Sequence, residues 1–491
     1  MTSLPRAPQI VLCFDGTGNT LRADGRESNI LRIFRMLDRT DDQDHCYYQP
    51  GIGTDISASS LAGSAIRNAR PWSNKALELA LGHGFDSHVL GGYRFLMRHY
   101  RSNSNVHIFG FSRGAYTARI LNDMLDWVGL LSADNEEMIP FIWKAYFEWK
   151  VYRQESSYEL LNAYRESVCR GDVSVHFLGL FDTVNSVVDL ETVVEEDDPS
   201  SRIIRHAVST DERRVKFQPL LLCRKMATGS GGKKRSKDYT SFSAVKYHSN
   251  PERLVEGQDI REVWFPGGHS DVGGGWKLDK SERFSLSHNP LVWMVDEARR
   301  AGVQFNQEKL QQFFCVEPNA SISMESAGVR ESLKAEKDKT LSDTSQDGET
   351  RPQSLSGAAF NRSLEDSAKG LVHDYLKRTL QVPYSTVIPW GIMEFVPFKR
   401  LTLRNDGTWK VTRWPLSMGR MRGIPIDAEI HVSMIRRMQA NDTYRPANAI
   451  LGGGGRGLTK APPEFGIGEW KVYKYPDDPL RETYILNSQL R

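Results

Sequence analysis

Ser112 stands at the centre of Gly110-Phe111-Ser112-Arg113-Gly114. A serine hydroxyl is a weak nucleophile at neutral pH. It attacks a carbonyl only when a histidine takes its proton and a carboxylate holds that histidine in one tautomer. Asp182 and His269 follow downstream, in Gly179-Leu180-Phe181-Asp182-Thr183-Val184 and Gly267-Gly268-His269-Ser270-Asp271. The chemistry these residue types could perform together is acyl transfer through a serine ester.

Each of the three side chains needs an element to hold it. Asn105-Val106-His107-Ile108-Phe109 reads as a short buried strand, and Ala115 to Leu121 reads as a helix with small and apolar residues at helical spacing. Strand, G-x-S-x-G, helix is the context of a nucleophile elbow. Val175 to Phe181 reads as a buried apolar strand ending on Asp182, and Ile260 to Phe265 reads as another buried strand, leading to His269. Gln9 to Phe14 is a third, ending on Asp15-Gly16-Thr17-Gly18-Asn19. A continuous apolar run such as Ile10 to Phe14 suits a parallel strand buried on both faces. Helical periodicity over Asn29–Leu37, 74–100 (interrupted near Gly82 and Gly84), 139–152 and 290–301 alternates with them. The expected fold is therefore α/β: a mostly parallel sheet with helices on both faces, with insertions and a C-terminal extension. Sites in such sheets lie beyond the carboxyl ends of the strands, where Asp15, Ser112, Asp182 and His269 all fall. The chain order Ser, Asp, His is that of α/β hydrolases.

The oxyanion of a tetrahedral intermediate needs two N–H donors. One expected donor is the Arg113 N–H. The other belongs to the glycine loop after the first strand, with Gly16 first and Thr17 as the fallback. Asp15 is expected to hold that loop by hydrogen bonds. Asp271 is a rival acid or a support, and His431, which also follows an apolar stretch, is a rival base. Phosphatases of the haloacid-dehalogenase type need D-x-D-G-T, and Cys13 occupies the place of their nucleophilic aspartate. A metallohydrolase built on Asp15, Asp182, His269 and Asp271 lacks an H-E-x-x-H or comparable metal motif, so no metal and no cofactor is expected. The aromatic helix 139–152 reads either as core or as a lipid-facing element.

The 491 residues are 39% apolar and 25% charged, with a net charge of +3. This balance is too mild to suggest nucleic acid as a partner. Five scattered cysteines form neither a disulfide framework nor a zinc site and fit a reducing compartment. The N-terminal residues lack a signal-peptide pattern, and no apolar run is long enough to span a membrane. A cytoplasmic location is expected, with secretion by a signal-independent route left open. Residues 1–330 read as the catalytic domain, with a mobile loop at 228–237. Residues 335–357 read as a disordered linker or insertion, and 358–491 as a C-terminal region packed on the catalytic domain, with a hairpin around Asp406-Gly407.

Four motifs together carry a resemblance. They are Cys13-Phe14-Asp15-Gly16-Thr17-Gly18-Asn19, Gly110-Phe111-Ser112-Arg113-Gly114-Ala115-Tyr116-Thr117-Ala118-Arg119, Phe181-Asp182-Thr183-Val184 and His269-Ser270-Asp271-Val272-Gly273-Gly274-Gly275. With His206 to Ser209 and Asp211 to Arg214, the stretch from about residue 8 to 300 resembles a family of α/β hydrolases. Its best-understood members are the phospholipase effectors of bacterial type VI secretion (the first lipase-effector group). The resemblance implies a Ser-Asp-His triad at Ser112, Asp182 and His269, and phospholipase A activity without a metal. The expected substrate is thus a phospholipid or other lipid ester, with peripheral membrane contact left open. A soluble ester or thioester, and a non-catalytic interaction scaffold, are the alternatives.

Overall fold

In the computed structural model, the described residues are 6–52, 74–170, 173–184, 200–222, 258–317, 355–404, 406–450 and 459–487. The loop expected at 228–237 and residues 335–354 of the expected linker lie outside them. Residues 355–357 open a helix, Leu355–Ala368.

The main sheet has nine strands: β1 (Gln9–Phe14), β2 (His45–Gln49), β3 (Asn105–Phe111), β4 (Val175–Phe181), β5 (Ile203–Ser209), β6 (Asp259–Phe265), β7 (Glu429–His431), β8 (Trp470–Lys474) and β9 (Thr483–Leu486). Their spatial order is β8-β9-β7-β6-β5-β4-β3-β1-β2. All pairs from β2 to β7 are parallel, and β9 pairs antiparallel with both β7 and β8. The fold is thus α/β with a mostly parallel central sheet. The strand order reverses between β1 and β3, and crevices at such switch points receive ligands.

β1 shows why the sheet is covered on both sides. Ile10, Leu12 and Phe14 enter one core with residues of the helices α2 (Asn74–His99), α3 (Arg113–Val128) and α4 (Ile139–Tyr152). Val11 and Cys13 enter the opposite core with α1 (Asn29–Met36) and α7 (His288–Arg300). Between these in the chain, α5 is Glu155–Ser167 and α6 is the short His269–Gly273. α2 runs without a break through Gly82 and Gly84, where an interruption was expected. α4 packs its Ile142, Tyr146 and Trp149 into the core. Among the described residues no helix is long and apolar enough to cross a membrane.

Two close approaches position the serine. A Cβ on Gly114 would lie 2.3 Å from the Phe14 carbonyl oxygen, so the first turn of α3 can pass β1 only with glycine there. A Cβ on Gly110 would meet the Ala115 Cα at 2.5 Å, so the turn from β3 into α3 needs glycine too. α1 begins at Ser28, whose Oγ accepts from Leu31 N and donates to Asp15 Oδ2 at 2.6 Å.

The C-terminal residues enter the sheet itself. β7 pairs with β6 through Glu429↔Val263 and Ile430↔Trp264. A buried charge network fastens it: Arg261 bonds Glu297 of α7 at 2.7 Å and Glu429 of β7 at 2.6 Å. The expected hairpin is present as strands Arg400–Leu403 and Trp409–Thr412, paired antiparallel. Asn405 in its turn lies outside the described residues.

Candidate active site

Ser112 ends β3 and precedes α3, with φ 59° and ψ −125°. Positive φ is costly for a residue with a Cβ, about 1–3 kcal/mol, and persists only where the surroundings over-determine it. Here the surroundings are a hydrogen bond from Ser112 N to the Phe181 carbonyl at 3.0 Å and the glycines on either side. Asp182, at the end of the neighbouring β4, also has positive φ, 41°, and its N–H donates to the Ala207 carbonyl of β5 at 2.7 Å. Both residues whose side chains meet one histidine thus sit in this costly backbone region.

That histidine is His269, at the start of α6. Its Nε2 lies 2.8 Å from Ser112 Oγ, and its Nδ1 lies 2.5 Å from Asp182 Oδ2. All three residues are buried. With Asp182 ionised, Nδ1 must carry the proton, so Nε2 presents its lone pair to the serine hydroxyl. The His269 ring lies between Phe111 and Phe217, with centroids 4.7 and 4.9 Å away. Burial lowers the His269 pKa, while the Asp182 hydrogen bond and charge pull it upward; the net shift is downward. Imidazole therefore stays neutral at neutral pH, as a base must.

Asp182 is held ionised although fully buried. Burial alone would raise its pKa, but the Arg422 guanidinium and His269 reverse this and bring it well below the usual carboxylate range. Arg422 Nη1 donates to Asp182 Oδ1 at 2.6 Å and Nη2 to Oδ2 at 3.0 Å, a two-pronged ion pair. Ser209 N and Oγ also donate to this carboxylate, at 2.9 and 3.2 Å.

The profile of the family described as "T6SS, Phospholipase effector Tle1-like, catalytic domain" matches residues 8–297. The chain belongs to this Tle1-like family. It is 27% identical to Uncharacterized protein YEL023C of Saccharomyces cerevisiae over 552 residues, covering 89% of this chain and 80% of that one. Among solved structures it is similar to an uncharacterized protein from Pseudomonas aeruginosa, with 20% identity and a TM-score of 0.34. That match covers 74% of this chain and 53% of the other, so the chain spans about half the length of that relative. It is also similar to the Tle1 effector bound to the VgrG spike of the type 6 secretion system, with 14% identity and a TM-score of 0.30 over 84% of this chain and 89% of that one. Membership marks residues 8–297 as a lipase-like hydrolase domain. Ser112, Asp182 and His269 lie inside the matched Tle1-like residues, and Arg422 lies beyond them.

Not every expected residue of this Tle1-like chain takes its expected place. The Gly16 N–H donates to Asp15 Oδ1 at 2.7 Å and is therefore not free for an oxyanion. The Asp15 carboxylate turns back on its own loop. It also accepts from Asn19 at 3.0 Å, Ser28 at 2.6 Å and Tyr48 at 2.7 Å. The fallback, Thr17, is exposed, and its N–H makes no hydrogen bond among the described residues. Its Oγ1 accepts from Arg113 Nε, which brings Thr17 beside the residue after the serine. Arg113 heads α3, where the first N–H groups have no partner within the helix.

His431 is not beside Ser112. Its Nδ1 faces Ser433 Oγ and its Nε2 the Leu480 carbonyl, both at 2.8 Å, and its ring stacks on Phe265. Asp271 does not contact the His269 ring. It accepts from Gly268 N at 2.8 Å and from His373 N and Nδ1 at 2.9 and 2.7 Å, so it fixes the turn that carries His269. Glu212 adds a second brace by accepting from His269 N at 3.2 Å. Arg422 and His373 had no signal in the sequence. Each is a single polar residue in a C-terminal segment without a motif, and only the fold brings it to the site.

Proposed function

We propose that this chain is a serine hydrolase that cleaves carboxylic esters of phospholipids through an acyl-enzyme, a phospholipase A-type activity on an α/β-hydrolase-like scaffold. The observation that carries the reading is the continuous relay Ser112 Oγ, His269 Nε2, His269 Nδ1, Asp182 Oδ2, with contacts of 2.8 and 2.5 Å. The strained turn at Ser112 between β3 and α3, and the order Ser, Asp, His along the chain, support the hydrolase type of scaffold.

In this reading Ser112 Oγ attacks the ester carbonyl while its proton passes to His269 Nε2. The N–H groups of Arg113 and Thr17 hold the oxyanion. His269 returns the proton to the leaving alcohol, which departs as the lysophospholipid, and an acyl-serine remains. Water enters, gives its proton to His269 and bonds the acyl carbon; His269 then hands that proton to Ser112 Oγ as the acyl–oxygen bond breaks, which releases the fatty acid and restores the serine. Asp182 keeps one tautomer in place and stabilises the imidazolium in both halves.

Arg113 favours a phospholipid over a neutral ester. Its guanidinium pairs with no carboxylate among the described residues, and its polar contact there is the one to Thr17 Oγ1. Burial pulls its pKa down and no acid opposes that pull. A cation left unpaired beside the nucleophile suits the phosphodiester of the substrate. Arg113→Gln keeps the backbone N–H and removes the charge. We expect KM for dispersed phosphatidylglycerol to rise by about 10-fold or more, the worth of one charge-assisted hydrogen bond. Hydrolysis of a short p-nitrophenyl ester should change little. Equal effects on both substrates, or wild-type activity on the short ester alone, would defeat the phospholipid assignment and leave a soluble esterase.

The pH profile tests the base. His269 acts when neutral, and its pKa lies below the usual 6.5. Accordingly, kcat/KM for the short ester should hold as pH falls through 6.5 and decline only below it. An acid limb with its midpoint above 6.5 would count against His269 in this environment.

A further inference from the structure

The helix Tyr384–Met393 buries none of its residues. It carries no Asp, Glu, Lys or Arg, yet Tyr384, Ile388 and Ile392 follow one another at four-residue spacing, each more than half exposed. Phe395 continues the stripe, and Met418 joins it where its N–H bonds the Glu394 carbonyl at 3.3 Å. Leu380, just before the helix, is fully exposed. An uncharged helix this apolar gains nothing from standing in water, and contiguous patches of this kind mark surfaces that are covered in use.

Two observations say what covers it. The first is charge. Lys377, Arg378, Lys399 and Arg413 flank the stripe in sequence and are exposed, and Arg378 lies over the Tyr384 ring at 4.8 Å. Of the two acids between Lys377 and Arg413, Glu394 is buried and turned inward to Val215 N and Gly419 N, and the exposed Asp406 in the hairpin turn is paired with Arg404 at 3.6 Å. An apolar stripe with a cationic border matches an anionic lipid surface. The second is continuity with the site. Trp390, on the inner side of the same helix, meets Phe217 at 5.4 Å, and Phe217 meets the His269 ring.

We propose that the Tyr384–Met393 helix lies in the interface of an anionic phospholipid bilayer and seats the mouth of the Ser112 site on that surface. The proposal rests on the lipid-ester reading for its purpose, but its test does not read hydrolysis of vesicles. The probe is a set of vesicles of ether-linked phosphatidylcholine, with and without ether-linked phosphatidylglycerol, which have no ester to cleave. The full chain should cosediment with the phosphatidylglycerol vesicles, more weakly with phosphatidylcholine alone, and less as salt rises. The double variant Ile388→Glu/Ile392→Glu should lose binding by about 10-fold or more, since two apolar anchors are removed and two anions added. Its hydrolysis of a short soluble ester should match the wild type, which shows that it is folded. Unchanged vesicle binding by the double variant, or no binding by the wild type, would overturn the proposal. So would a wild-type dimer that the double variant breaks in sedimentation velocity, because the stripe would then be covered by a second copy. If vesicles bind and no ester of any kind is cleaved, the hydrolase reading fails while the membrane surface stands.

Discussion

Ser112→Ala protein should bind no fluorophosphonate and should hydrolyse phospholipid and short ester with kcat lower than wild type by about 10⁶-fold, the loss typical of removing the nucleophile of a serine relay. The side chain lost is one oxygen atom, and its one described side-chain partner is His269 Nε2. Alanine carries the same Cβ and meets the same positive φ, so the thermal midpoint and far-UV circular dichroism should stay close to wild type. This separation of folding from chemistry gives the result its weight. A Ser112→Ala protein that still labels would place the nucleophile elsewhere. Wild-type protein that is folded and yet does not label would favour a non-catalytic scaffold.

Arg422→Met should cost both stability and rate. The side chain is buried and makes five hydrogen bonds, two of them to Asp182 and the rest to Ser209 and the Phe217 carbonyl. Removing one partner of a buried ion pair leaves the other charge uncompensated, at about 3–5 kcal/mol. The thermal midpoint should therefore fall by several degrees. The rate should fall too, by about 10²-fold, because a displaced carboxylate misplaces the imidazole. The pH profile distinguishes this role from packing alone. Without the guanidinium, Asp182 and His269 both hold protons more tightly, so the acid limb of kcat/KM moves to higher pH. Arg422→Lys keeps the charge but not the fork, and should fall between the two. A variant with wild-type melting and an unmoved acid limb would show that Arg422 does nothing for Asp182.

The parts of the fold that were legible in the sequence are those where burial leaves few polar residues. β1, β3 and β4 sit between two layers of helix, so their residues are mostly apolar, and each strand ends where the chemistry begins. β6 carries Arg261 and Glu262 and was legible from its apolar end, Val263-Trp264-Phe265. β5 escaped detection because Arg205 and His206 interrupt it. Both are buried and paired, Arg205 with Asp259 and Glu297, His206 with Glu262. β7 to β9 are three to five residues long with mixed polarity, and their place at the sheet edge rests on pairing partners far away in sequence. The glycine loop after β1 was recognisable, but its nearest N–H turned out to serve Asp15. A carboxylate one residue away is a closer acceptor than any substrate. Gly82 and Gly84 were misleading in the other direction: each costs a helix about 1 kcal/mol, and α2 tolerates both.

Asp182 and the arginine that keeps it charged are 240 residues apart. During synthesis, at about 5–20 residues per second, the serine, aspartate and histidine all leave the ribosome well before Arg422 does. Until then the carboxylate has no counter-ion and the sheet lacks β7 to β9. On the proposed reading, the relay comes into working order only after Arg422 and β7 to β9 have been made.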